Sequence, residues 1–166
     1  MTPERVTQQE RLYAAERSVI PTIVERWAKR FDSQEEIQRY LVDKLLDQPW
    51  WEERFPKVHT ILCPTVKRRA GTGSVGGLTD ADEHIGIIEM AQVHWNEMYV
   101  LHEVAHVTAE SEGESHSHDP LFARTYLELV YRMIGHGAWA LLRKAFIEHH
   151  ICIDERCQEL PECQCS

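Results

Sequence analysis

The chain has 166 residues, 43% hydrophobic and 27% charged, a balance that supports a globular core and excludes wholesale disorder. Acids outnumber bases by 27 to 18, for a net charge of −9. That sign weighs against non-specific nucleic-acid binding, which needs lysine and arginine to displace counterions from phosphate.

No apolar run approaches the roughly 20 residues of a membrane span. The opening MTPERVTQQE is too polar for a signal peptide. The expectation is a soluble, cytosolic protein without membrane partners. Cysteine use is uneven: Cys63 stands alone, while Cys152, Cys157, Cys163 and Cys165 crowd the C-terminus. An odd total without an export signal argues against a disulfide framework for the core.

In chain order, Thr2-Pro3-Glu4 predicts a helix start, and Leu12, Tyr13, Ala15 and Val19 continue it at helical spacing. Pro21 should kink or restart the helix, which resumes through Ile23, Val24, Trp27 and Phe31. Ser33 and Glu36 form a capping-box pattern ahead of Ile37, Tyr40, Leu41 and Leu45. Pro49 should end this second helical region, with Trp50 and Trp51 wedged against the core.

Residues 58–66 are rich in β-branched side chains and predict a strand, with Pro64 confining it to an edge or an early end. Residues 67–82 carry Gly71, Gly73, Gly76 and Gly77 and predict a loop or loose hairpin, followed by a strand from Ile85 to Met90. Asn96 is a plausible N-cap for a helix to about Ala109. ESEGESHSHD over 110–119 predicts a loop. Asp119 and Pro120 open a helix with an apolar face at Phe122, Tyr126, Leu129 and Val130, ended by Gly135. A last helix should run from Ala138 to about His149, burying Trp139, Leu142 and Phe146.

The sharpest motif is His102-Glu103-Val104-Ala105-His106. Residues four apart on a helix lie one turn above each other, about 40° apart around the axis. Both imidazoles can therefore bind one Zn²⁺. Glu103, rotated by about 100° from His102, can stand beside a water without ligating the metal, which is the place of a general base. The flanking Met98, Val100, Leu101, Val104, Ala105 and Val107 make the helix apolar nearly all round. Buried polar groups of this kind need partners, and a metal supplies them.

A catalytic zinc usually has three protein ligands and an open position. The candidates for the third ligand are His116, His118, Glu110, Glu112, Glu114 and Glu128. A metzincin pattern would need glycine and histidine where the chain has Ala109 and Glu112. A thermolysin-like arrangement would take Glu128, which lies at the margin of its helix's apolar face. His118 directly precedes the N-cap fixed by Asp119-Pro120 and is favoured, with His116 next.

The run VLHEVAHVTAESEGESHSHDPLFARTYLELV resembles the SprT-like (Spartan-like) zinc metallopeptidases, in which H-E-x-x-H is followed by a loop and then H-G-P-x-F. His118-Asp119-Pro120-Leu121-Phe122 matches the second element, with Asp119 in place of glycine. Together with YAAER near the start and PWWEERFP, the motif is similar to a set of small actinobacterial and phage metallohydrolases, over most of residues 10–150. The resemblance implies zinc ligation by His102, His106 and His118, with Glu103 as the catalytic acid/base. It supplies no substrate, and the Asp119 departure bears on the loop geometry. In zincins generally, an edge strand at the place of Ile85–Met90 pairs with an extended substrate backbone; a core strand without substrate contact is the other possibility.

Weaker signals remain. Tyr99 and Tyr126 are candidate donors to an oxyanion, although buried tyrosines more often only pack. Gly71-Thr72-Gly73-Ser74-Val75-Gly76 fits G-x-G-x-x-G, but no helix is expected after it, so a nucleotide site is not supported. Lys67, Arg68 and Arg69 form the only compact basic run. The spacing of the tail cysteines is not that of a zinc ribbon.

The combined expectation is an α+β, zincin-like domain over 1–150 with a cysteine-rich tail over 151–166. It should have N-terminal helices, a small mainly antiparallel sheet, the HExxH helix and C-terminal helices. The expected function is a zinc-dependent metallopeptidase acting on a peptide or protein substrate. Two alternatives are a non-catalytic zinc-stabilised binding module and a DNA-dependent SprT-like protease, the latter disfavoured by the charge of −9.

Overall fold

The computed structural model describes residues 6–65, 73–79, 82–113 and 117–153. The expected helix start at Thr2 therefore lies outside the described residues. Helix α1 spans Gln8–Arg26 behind a complete capping box, in which Thr7 Oγ1 accepts from the Glu10 amide and the Glu10 carboxylate accepts from the Thr7 amide. Pro21 neither breaks nor restarts this helix, which runs through it. Its Leu12, Ala15, Ile20, Ile23 and Val24 are buried, and so is the carboxylate-bearing Glu16.

The second helical region divides in three. Helix α2 (Gln34–Tyr40) is capped by Ser33, whose hydroxyl accepts from the Glu36 amide, and passes into a π-helical turn over Leu41–Leu46. The Glu36 carboxylate accepts from the Asp32 amide and not from Ser33, so only half of the expected box forms. Pro49 closes this region and also opens helix α3 (Pro49–Arg54). Trp51 is buried, its indole N–H donating to the Val58 carbonyl, while Trp50 is half-buried.

The sheet is smaller than expected and differently wound. β1 covers only Thr60–Leu62, β2 Val75–Leu78 and β3 Ile85–Glu89, in the order β1-β3-β2. β1 pairs parallel with β3 and β2 pairs antiparallel with it. One pairing of each kind replaces the mainly antiparallel arrangement. The stretch read as a glycine loop contributes a strand of its own, and the strand read as a possible edge is the centre.

Helix α4 (Glu97–Glu112) starts at Asn96, whose Oδ1 accepts from the Tyr99 amide, and runs a turn beyond Ala109. It packs across β2 and β3, and two glycines permit the approach. A Cβ on Gly76 would lie 2.4 Å from the Glu103 carbonyl oxygen, and one on Gly86 would lie 2.4 Å from Val107 Cγ1. Helix α5 (Pro120–Met133) packs on α4, and α6 (His136–Glu148) packs on α1 and α5. Gly135, at φ +119°, makes the sharp connection between α5 and α6. Leu142 and Phe146 are buried and Trp139 is half-buried. The architecture is α+β, and none of the described helices is long and apolar enough to cross a membrane.

The Gly86–Val107 approach gives a direct test of this packing. Val107 is held to few rotamers, so Gly86→Ala should lower the unfolding free energy by about 1–3 kcal/mol. Urea unfolding should show the loss, while the histidines of α4 keep their metal affinity.

Candidate metal centre

Helix α4 holds His102, Glu103 and His106 on its inner side because nearly every residue around them is apolar and buried. The third histidine arrives by a cap. Asp119 Oδ1 accepts the Phe122 amide at 2.8 Å and starts α5, which fixes the residue before it. His118 is only 6% exposed, and its carbonyl accepts from Gln8 Nε2 at 2.8 Å. Ser117 precedes it in the left-handed region, at φ +55°, with its hydroxyl 2.9 Å from His118 Nδ1. A non-glycine residue held in that region is a modest strain, located here at the turn that delivers the imidazole.

One ring nitrogen from each of His102, His106 and His118 lies within 4.8 Å of the others. The Nε2 atoms of His102 and His118 are 3.2 Å apart. His102 Nδ1 lies 2.6 Å from Glu16 Oε1, so its N–H donates to that carboxylate and Nε2 faces the other histidines. Phe122 stacks on His106 at 4.2 Å between centroids and closes the back of the group.

The electrostatics separate the three imidazoles. Burial, followed by the neighbouring His102 and His118, pushes His106 down to about 2. Burial and then His102 push His118 down to about 3. Burial also acts against the charged form of His102, but the charge and hydrogen bond of Glu16, with Glu103 behind them, outweigh it and raise that imidazole above its ordinary value. Burial thus favours the neutral form of His106 and His118, while Glu16 favours the charged form of His102.

The group opens on a cleft of about 420 Å³ lined by Tyr13, Ser74, Gly76, Glu103 and Glu110 along with the histidines. Glu103 is 5% exposed yet reaches this cleft. The neighbouring strand is β2 and not Ile85–Met90: β3 has partners on both sides, so it has no free edge. In the β2–β3 ladder the Thr79 amide donates to Ile85, so Val75 and Gly77 also face β3, while Gly76 and Leu78 face outward. The Leu78 amide donates to Glu110 Oε2 at 2.9 Å.

The other third-ligand candidates go elsewhere. Glu128 and Glu112 are both bound by Arg54, with Glu128 Oε1 3.0 Å from Arg54 Nε. Glu110 caps the β2 edge, and Glu114 and His116 lie outside the described residues. So do Lys67, Arg68, Arg69, Gly71, Thr72, Cys157, Cys163 and Cys165. Gly76 of the glycine motif sits inside β2, and no helix opens after it. Of the two tyrosines proposed as oxyanion donors, Tyr126 is fully buried with its hydroxyl donating to the Met98 carbonyl, and Tyr99 stacks on His94. Neither lines the cleft.

Two contributors from α1 were not identified from the sequence. Glu16 orients His102, and Tyr13 stands in the cleft wall with its ring 5.1 Å from His118 and 6.2 Å from His102. A signal for Glu16 was present, since it occupies the apolar stripe of Leu12 and Ile20 at four-residue spacing, where a carboxylate has no reason to be unless something inside receives it.

Three neutral-capable imidazoles with a buried carboxylate behind one of them suit a divalent transition metal. The set contains nitrogen donors and no thiolate, and a carboxylate on the far nitrogen is the usual support of a ligating histidine. No protein-family model, curated protein or solved structure matches the chain.

Glu16→Gln keeps the side-chain shape but removes the charge, and metal affinity in a competition titration should fall about 10- to 100-fold. A metal competes with protonation of His102, which Glu16 favours, whereas burial already holds His106 and His118 toward the neutral form. Affinity should therefore rise with pH until His102 is deprotonated and then level off. Calorimetry in buffers of different ionisation enthalpy should show net proton release on metal binding that shrinks as pH rises.

Proposed function

We propose that the protein is a zinc-dependent metallopeptidase of the SprT-like, zincin type, with His102, His106 and His118 as ligands and Glu103 as general base. The observation that carries this reading is the convergence of three imidazole nitrogens within 4.8 Å at the floor of an open cleft, with a buried carboxylate next in sequence to one of them. A site that only held the fold together would need neither the opening nor the carboxylate.

Zinc, when bound, would supply a Lewis acid that polarises a scissile carbonyl and acidifies a water. The protein supplies the rest. Glu103 takes a proton from the attacking water as oxygen adds to the carbonyl carbon, then delivers that proton to the amine nitrogen as the C–N bond breaks. The products are a carboxylate and an amine, with no other reactant consumed. The outward edge of β2 at Gly76 is the surface on which an extended peptide backbone would add a strand, and it brings that backbone beside Glu103.

Glu103→Gln preserves volume and hydrogen-bonding shape but removes the base. Zinc content should be unchanged, and hydrolysis of a peptide library should fall about 10²- to 10⁴-fold. Equal turnover by the variant and the wild type would refute the reading. Undiminished partner binding without any turnover by the wild type would favour a zinc-stabilised binding module.

A further inference from the structure

We infer that Tyr13 is a further catalytic residue, its phenol O–H donating a hydrogen bond to the oxygen that becomes negative as water adds to the substrate carbonyl. This rests on the hydrolase reading above.

Tyr13 lines the same cleft as His102, Glu103, His106 and His118, and comes from α1, the helix that also supplies Glu16. Its ring lies roughly parallel to that of His102, with 23° between planes, and meets His118 edge-on at 73°. The ring is thus held against two of the three metal-binding groups.

The hydroxyl has a spare proton. Gln9 Nε2 donates to Tyr13 Oη at 3.1 Å, which occupies one lone pair, and among the described residues nothing accepts the phenol's own hydrogen. Tyr126 differs on both counts, being fully buried with its proton given to Met98 O. The cleft lining otherwise holds Ser74, whose Oγ already accepts the Ala91 amide and contacts His94 Nδ1 at 3.0 Å, and Ser117, engaged with His118. Among the described residues, no lysine or arginine lines the cleft. Negative charge developing on a substrate oxygen there has Tyr13 as the available neutral donor, and a donor held in advance is worth most where water is scarce.

The test compares Tyr13→Phe with wild type, both as the full zinc-loaded chain, and uses phenylphosphonate as a tetrahedral anionic probe. Phenylalanine keeps the ring packed on His102 and His118, so zinc content should not change. Affinity for phenylphosphonate should drop about 10- to 100-fold, the range for losing one hydrogen bond to a charged group. Affinity for 2-mercaptoethanol, which offers sulfur and no oxyanion to the metal, should stay within about twofold. On a cleavable peptide kcat should fall by about 10- to 1,000-fold with KM little changed. Tyr99→Phe, at a tyrosine outside the cleft, should reproduce the wild type. Unaltered phenylphosphonate affinity in Tyr13→Phe, or no binding of this probe by the wild type, overturns the assignment. Turnover that survives Glu103→Gln overturns the hydrolase reading instead, and the probe measurement stands independently of it.

Discussion

The contact between Glu16 and His102 is the constraint on which the centre depends. Both groups are almost fully buried, and their atoms stand 2.6 Å apart across 86 positions of sequence. A carboxylate in such a place is tolerable only when paired, because its desolvation is otherwise too costly. The pairing sets the tautomer of His102, turns its Nε2 toward His118 and joins α1 to α4. It also sets the local charge. Glu16 and Glu103 are both buried beside imidazoles, two of which favour the neutral form. A divalent cation would place positive charge beside both of these buried side chains.

The opposing behaviour of the histidines follows from the same geometry. Burial acts on all three in one direction, but Glu16 reaches only His102 within hydrogen-bond distance. One imidazole is therefore lifted while its neighbours are pushed far below, and each protonated ring would repel the next. Groups coupled this tightly lose and gain protons as a set.

How much of this was legible in the sequence depended on the range of each interaction. His102, Glu103 and His106 could be read because their relation is a helical period. His118 could be read because Asp119 and Pro120 mark a helix start and so fix the residue before it. Glu16 and Tyr13 could not be assigned a role, since the packing of α1 against α4 is a long-range matter that no local pattern encodes. The sheet failed for a related reason. Val75–Leu78 contains two glycines, which local propensity assigns to a loop, yet the absence of side chains is what lets β2 settle on the backbone of α4 at Glu103. The parallel pairing of β1 with β3 likewise depends on a connection through residues whose composition says nothing about direction.

Helix α1 therefore has a larger part in building the centre than its distance from the motif would imply. Gln8 holds the His118 carbonyl through its amide N–H and the Cys152 amide through its oxygen, so one side chain ties the third histidine to the segment that follows α6. Tyr13 and Glu16 sit further along the same helix and address the cleft and the back of His102 respectively. A peptide containing only α4, the following loop and α5 would carry all three imidazoles but lack the carboxylate that orients one, the amide that steadies another, and the phenol over both. Its histidines would be free to rotate and to protonate independently, and an ion would have to order them at its own expense in affinity. The motif names candidate ligands, and the N-terminal helix holds them as a preorganised group.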